Sequence, residues 1–376
     1  MIRFVLGAMA CVAVSHADTL TLTDAMQRVA QNHPLARAVA LELEATRWRG
    51  RAEAAFTPMS VYLAPMISDG DSGEELIVQQ PLELNGGQRA RAALSHARYQ
   101  LHQAEAQRAL DDLLTQTAEA YIDAYAAQRR LDAVAQFVET LDALHPRVAV
   151  HAPREAALTQ ATELRLAHRH ALYRLNALLQ RPLDAPLVLL PVQALSDSPT
   201  ADDAVDADAA QLALLYAELR LMRTQLLPDV VLQARVEKFA GNSTRPAYAL
   251  MLEFPLIDYG ARRAEIRGQQ LLIEAQTLRI EAARLQAQAE QRAAEDAYRL
   301  AQARLVQAQR RLDTLTAARA QTVSNDASTL LEHATELWRA RMELIDAEHR
   351  AQRAWVVWKS IDEAFLKGVK PYATRP

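Results

Sequence analysis

The chain has 376 residues, with Lys+Arg 42 against Asp+Glu 46, a formal net charge of -4 and 5% aromatic residues. Charges of both signs are interspersed, which argues against a polyanion such as nucleic acid as partner. A composition rich in Ala, Leu, Gln, Arg and Glu points to long helices packed side by side rather than one broad core.

Arg3, the apolar run Phe4 to Val14 and the small residues around Ser15 and Ala17 read as a secretory signal peptide over residues 1–17. The single cysteine, Cys11, lies inside it; cleavage near Ala17 would leave a mature chain without a thiol, and acylation of Cys11 is the alternative. No later stretch has the roughly 18 consecutive apolar residues of a transmembrane helix. An exported chain of this kind either stays in water or enters a membrane as β-strands.

A short amphipathic helix is predicted over 21–31, with Thr23 or Asp24 as cap, and a second over 35–56. The alternation of Met59, Val61 and Leu63, then of Leu76, Val78, Gln80 and Leu82, predicts a β-hairpin over 58–84 with a polar turn at 66–73. A long helix follows over 86–144, carrying Leu94, Ala97, Leu101 and Ala104 at 3-4-3 spacing, and a return helix over 147–180. Pro182, Pro186, Pro191 and Pro199 mark a linker over 181–206 with a little extended structure.

The plan then repeats. A helix over 209–227 ends at Pro228, and a hairpin over 229–257 puts Tyr248, Leu250, Leu252, Phe254 and Leu256 on one face, with a turn at 240–246. A second long helix over 260–321 carries Leu271, Ala275, Leu278, Ala282, Leu285 and Ala289 in a strict 4-3 rhythm, resumed from Tyr298 to Leu315. A turn and a last helix over 329–367 close the fold before a tail at 369–376. Placing Pro81 on Pro255 brings Leu82 onto Leu256, Gly86 onto Gly260 and Arg89 onto Arg263. The chain therefore reads as two repeats, 18–206 and 207–368, in a mainly α fold with a small β part.

Pro81, Gly86, Gly87, Pro255 and Gly260 are expected to form joints where a strand ends and turns into a long helix. Four strands cannot close a barrel, and their free edges would be intolerable in lipid; three copies would supply twelve. The face carrying Tyr248, Leu250, Leu252 and Phe254 would then meet outer-membrane lipid. Gln233, Arg235, Glu237 and Glu253 would line water, with Arg235 and Glu237 either in a lumen or above the membrane.

On Leu20–Ala38, Phe56–Leu63, Gln80–Arg91 (QPLELNGGQRAR), Ala118–Leu131, Leu226–Ala234, Phe254–Ile266 (FPLIDYGARRAEI) and Ala327–Trp355, the chain resembles the TolC family of outer-membrane efflux proteins. Within that family it is most similar to the channels of cation and heavy-metal efflux systems. The resemblance implies a homotrimer with a twelve-stranded β-barrel and a helical tunnel through the periplasm. It also implies docking to a periplasmic adaptor (membrane fusion) protein and an inner-membrane pump, and no chemistry of its own.

Other features have plainer readings. Gly86-Gly87 lacks the spacing and ending of a phosphate loop. His96, His102, His145, His151, His168, His170, His333 and His349 lack metal-ligand spacing and read as helix-surface residues, and no cofactor, metal or catalytic residue is expected. Asn325, Asp326 and Ser328 form a candidate tip or entrance, where Asp326 is either one of a ring of charges or a turn former. Trp338, Trp355 and Trp358 are expected to pack. The alternative function is a soluble periplasmic coiled-coil scaffold, with its strands forming a soluble sheet.

Overall fold

A computed structural model describes residues 18–68, 71–144, 150–192, 207–239, 244–253, 260–321 and 326–361. The signal-peptide reading of 1–17, Phe254, Pro255, Leu256, Asn325 and the tail fall outside them. The first half contributes β1 (Asp18–Leu20), α1 (Leu22–Asn32), α2 (Pro34–Glu53), β2 (Ser60–Ser68), β3 (Asp71–Pro81), α3 (Gly87–Leu144), α4 (His151–Leu178) and β4 (Leu187–Leu189). The second contributes α5 (Ala207–Thr224), β5 (Asp229–Phe239), β6 (Thr244–Glu253), α6 (Ala261–Gln321) and α7 (Ala327–Ile361). Two compact units result, one from residues within 1–33, 112–199 and 293–371, the other from residues within 34–111 and 200–292.

The first unit is helical around a small strand pair. The linker contains β4, which lies parallel to β1 with Thr19 opposite Val188. Tyr121 of α3 ties the pair down: its hydroxyl, 2.7 Å from Leu20 O and 2.8 Å from Leu190 O, shares one proton between them and accepts the Leu190 N–H at 3.1 Å. Burial pushes this phenol up to about 12, so it stays a neutral donor. Thr21, not Thr23 or Asp24, caps α1: its Oγ1 accepts from the Asp24 N–H at 3.1 Å and donates back to the Asp24 carboxylate at 2.6 Å.

Val134, Phe137 and Leu141 of α3 pack with Ala157 and Ala161 of α4 and Ala334 of α7. Phe137 stacks on Trp338 at 4.6 Å and Tyr298 on Trp358 at 5.4 Å, while Trp355 is buried. Ala308 of α6 meets Leu344 and Ala347 of α7, so the Tyr298–Leu315 stretch of the heptad pattern packs within the chain. The return helix α4 starts at His151 rather than 147. Its Pro153 sits in the first turn, where a missing N–H costs no helical hydrogen bond.

The second unit carries an antiparallel sheet in the order β2-β3-β5-β6. Both hairpins reach further than the alternation pattern foretold. Met66 pairs with Gly73 and Ser68 with Asp71, and β6 begins at Thr244. The reason is that ladder pairing is a backbone property and does not require side-chain alternation. Leu94 and Ala97 of α3 pack on Ala217, Leu214 and Leu221 of α5. Gln269 of α6 donates to Leu215 O at 3.1 Å and to Glu218 at 3.0 Å.

Replacing Tyr121 with Phe leaves the β1–β4 backbone groups without their shared partner, at an expected cost of about 1–3 kcal/mol. Denaturant unfolding of the variant should show that loss, and its absence would mean that solvent satisfies those groups.

Candidate functional site

Register assigns the faces of the sheet. Val61 opposes Val78, Leu63 opposes Leu76, Val236 opposes Leu76, and Ala234 opposes both Val78 and Tyr248. Leu232 opposes Leu250, and Val230 opposes Leu252. Directly opposed residues share a face, so these side chains form one apolar surface across four strands. Exposure is 58% at Val61, 73% at Leu63, 80% at Tyr248, 65% at Leu250 and 54% at Leu252, so none of the described residues covers it. Among the described residues, β2 and β6 each pair with one strand only, leaving two ladder edges open.

The other face is mixed, with Tyr62 opposite Ile77 and Val231 opposite Met251 among polar side chains. It carries Glu75, Gln79, Gln233, Arg235 and Glu237, and Arg235 pairs with both Glu75 and Glu237, the latter at 2.7 Å.

Where β3 passes into α3, the backbone turns through Gly86 at φ +82, and before α6 it does so through Gly260 at φ +83. A Cβ at either position would meet nothing within 4 Å, so the demand for glycine comes from backbone conformation and not from crowding. Gly87 opens α3; its N–H is held by the Asn85 side chain at 2.8 Å. Pro81 ends β3.

A clamp absent from the sequence reading completes the first joint. Glu83 adopts the left-handed conformation at φ +44, unusual for a side chain with a Cβ. Its carboxylate accepts two hydrogen bonds from Arg91, at 2.7 and 2.8 Å, and one from the Thr57 N–H at 3.0 Å. Arg91 also donates to Glu53 O at 3.0 Å and Ala55 O at 3.1 Å, tying the end of α2 to the start of α3. Burial would raise the Glu83 carboxyl, but the bonds from Thr57 and Arg91 outweigh it and hold the group below the usual range. At the second joint Arg262 donates to Gln225 O, again reaching the end of the preceding helix. Only contacts across the fold reveal these roles; no spacing in the sequence singles out Glu83.

At the candidate tip, Asp326 accepts from Ser328 Oγ at 2.7 Å, from Thr329 Oγ1 at 3.1 Å and from the Ser328 N–H at 3.3 Å. These bonds, the Ser328 hydroxyl foremost, lower its carboxyl. Asp326 thus caps the start of α7.

The histidines divide. His349 is not a surface residue: its Nε2 lies 2.8 Å from Asp123 and its Nδ1 3.4 Å from Arg130, which also holds Asp346 at 2.8 Å. Asp123, as a carboxylate, can only accept, so Nε2 carries the hydrogen of this bond. Arg353 and Arg174 complete the network on Asp123 at 3.5 and 3.8 Å. Burial would raise Asp123, but His349 and these arginines bring it lower. His168 is half-buried, which lowers its pKa. Packing against α3 decides both cases, and the local sequence carries no sign of it. Among the described residues, no three His, Cys, Asp or Glu side chains are grouped to hold a metal ion, and no helix is long and apolar enough to cross a membrane.

No family model matches the chain, and no curated protein matches its sequence. Solved structures do. The outer-membrane channel OprN is similar at 20% identity and TM-score 0.71, over 91% of this chain and 90% of that one. CusC is similar at 13% identity and TM-score 0.70, over 91% of each chain. The MtrE outer-membrane channel of Neisseria gonorrhoeae is similar at 18% identity and TM-score 0.67, over 92% of this chain and 89% of that one. The chain has the fold of these channels along almost its whole length.

Replacing Gly86 with Val forces a β-branched residue into φ > 0, at an expected cost of about 1–3 kcal/mol. Asn at the same position should cost markedly less, since it tolerates this conformation. Equal stabilities for the two variants would show that the turn relaxes. Glu83→Gln tests the clamp through pH. A carboxyl held low in the fold stabilises it above the unfolded-state value of about 4.3, and that gain fades as pH falls. The wild type should therefore melt higher than the variant at pH 7, with the gap closing toward pH 3. A gap independent of pH would contradict the clamp.

Proposed function

We propose that the chain is the outer-membrane channel subunit of a tripartite efflux system, of the TolC family. In this reading it is a passive conduit working as a homotrimer, with its helices extending into the periplasm. The observation that carries the reading is the uncovered apolar face of the four-stranded sheet between two open edges. Edge pairing with two further copies would give twelve strands closed on themselves, the arrangement lipid requires. Tyr248, Leu250, Leu252 and Phe254 would face the acyl chains.

The helices support the same assembly. Leu271, Leu278 and Leu285 recur every seven residues on α6, yet are 49%, 62% and 70% exposed. On α2, Leu41 and Trp48 are each 59% exposed. Two unlike apolar stripes on one unit suit a head-to-tail contact between copies, the kind that closes into a ring. The similar structures bear names of outer-membrane channels, and that of CusC refers to transmembrane channel formation. Pro81, Gly86, Gly87, Pro255 and Gly260 would be the hinges between barrel and tunnel, and Asn325, Asp326 and Ser328 would stand at the periplasmic entrance. The partners would be a periplasmic adaptor and an inner-membrane pump, and metal cations are the first cargo to test.

Leu250→Asp places a charge on the proposed lipid face, where a buried carboxylate costs several kcal/mol. The wild type should fractionate with the outer membrane as a heat-resistant trimer, and the variant should not. Recovery of the wild type as a soluble monomer, or normal membrane assembly of the variant, would overturn the reading in favour of a soluble periplasmic scaffold. A deletion strain should become sensitive to metal cations, and unchanged tolerance would remove them as cargo.

A further inference from the structure

The apolar face of the sheet is too short to span a membrane by itself. On β5 it runs from Val230 to Val236, about 20 Å along the strand, and a tilt of about 45° reduces that to roughly 15 Å of height. The apolar band of an outer-membrane barrel is about 25 Å tall. The next row sets Lys238 opposite Glu74 and Thr244, so the band ends there on the side away from the helices. The missing height therefore lies toward the joints. Phe56, Leu84, Leu226 and Leu227 stand between the sheet and the helices, and all four are exposed.

Beyond them the chain turns basic. The seven helical residues nearest the joint on α2, α3, α5 and α6 hold three, two, two and three arginines in turn, no lysine, and only Glu53, Glu218 and Glu265 as acids. The whole chain, by contrast, has Lys+Arg 42 against Asp+Glu 46. Arg91 and Arg262 are used by the joints themselves, while Glu53 is paired with Arg98 at 2.9 Å and Glu218 accepts from Gln269. The remaining arginines, Arg49, Arg51, Arg220, Arg223, Arg263 and Arg267 among them, are exposed, and none has an ion-pair partner among the described residues. Seven helical residues span about 9 Å, so these cations form one layer on the scale of a lipid headgroup region.

We infer that this layer binds the phosphate groups of anionic phospholipids in the periplasm-side leaflet, with Phe56, Leu84, Leu226 and Leu227 in the acyl chains beside it. The inference rests on the membrane reading and adds to it a ligand and a depth. Arginine suits the task, because its planar fork meets phosphate oxygens with two parallel hydrogen bonds. Each such cation near an anionic leaflet adds to the attraction. An acidic protein would dock on one patch, whereas a leaflet surrounds the channel and reaches a layer carried by all four helices. Arg49 and Arg51, two residues apart, lie on opposite sides of α2, so one of them faces outward however that helix is turned.

The test uses the purified full-length protein in non-ionic detergent, titrated with phosphatidylglycerol, phosphatidylcholine of the same acyl chains, inorganic phosphate or polyglutamate. Binding is read from the rise in melting temperature. Phosphatidylglycerol is expected to act at a concentration about tenfold lower than phosphatidylcholine. That preference should vanish in Arg49→Gln/Arg51→Gln/Arg263→Gln/Arg267→Gln. It should persist in Arg279→Gln/Arg284→Gln/Arg292→Gln/Arg310→Gln, which removes exposed arginines of α6 further from the joint. Should the first variant lose helicity by circular dichroism, its α2 pair and its α6 pair are measured separately; a preference kept in full by both would overturn the inference. Equal effects of the two lipids on the wild type, an equal loss in the distal variant, or a match by inorganic phosphate or polyglutamate would overturn it as well. Fractionation separates this inference from the reading beneath it. A wild type in the outer membrane without the lipid preference overturns the inference alone, and a soluble wild type overturns both.

Discussion

The antiparallel register of β2, β3, β5 and β6 is the constraint on which the rest depends. It gathers apolar residues from four strands, far apart in sequence, onto one face and leaves two edges unpaired. Burying that face is worth about 25 cal/mol for each Å² removed from water, and the described residues do not bury it. The edges carry backbone donors and acceptors that must also be met. In the proposed assembly, lipid would meet the face and copies of the same sheet would meet the edges.

The joints translate that requirement into helices. A strand that ends at the sheet must turn sharply before a long helix begins, and the turn uses the left-handed backbone at Gly86 and Gly260. The first joint goes further and places Glu83 in the same region of conformation. That strain is balanced by a bidentate bond to Arg91, which also grips the carbonyls at the end of α2. The clamp therefore couples sheet, turn and two helices, whereas the Tyr121 hydroxyl plays the corresponding part for the small β1–β4 pair.

Electrostatics in the helical unit follows a different logic. Around Asp123 the charges are matched and partly buried, with His349 held between Asp123 and Arg130. Along α6 and α7, the Arg311–Glu343 pair is exposed, as are Arg304, Arg339 and Arg350. Networks of the first kind hold helices together, whereas exposed pairs of the second kind contribute little.

The sequence by itself determined the order of the helices and of the four sheet strands, the strand alternation and the places where glycine was required, but not the β1–β4 pair. Period 2, period 3.5 and φ > 0 are local properties, written in side-chain spacing and in residues without a Cβ. It identified the Leu271–Leu285 and Tyr298–Leu315 patterns as equally good seams. Only the tertiary structure decided that the second packs on α7 while the first stays exposed, because a heptad states that a face is apolar and not what covers it. The same holds for His349, Glu83 and the strands running through the polar turn at 66–73. Their roles come from partners 8 to 226 residues away, or from backbone pairing that side-chain polarity does not record.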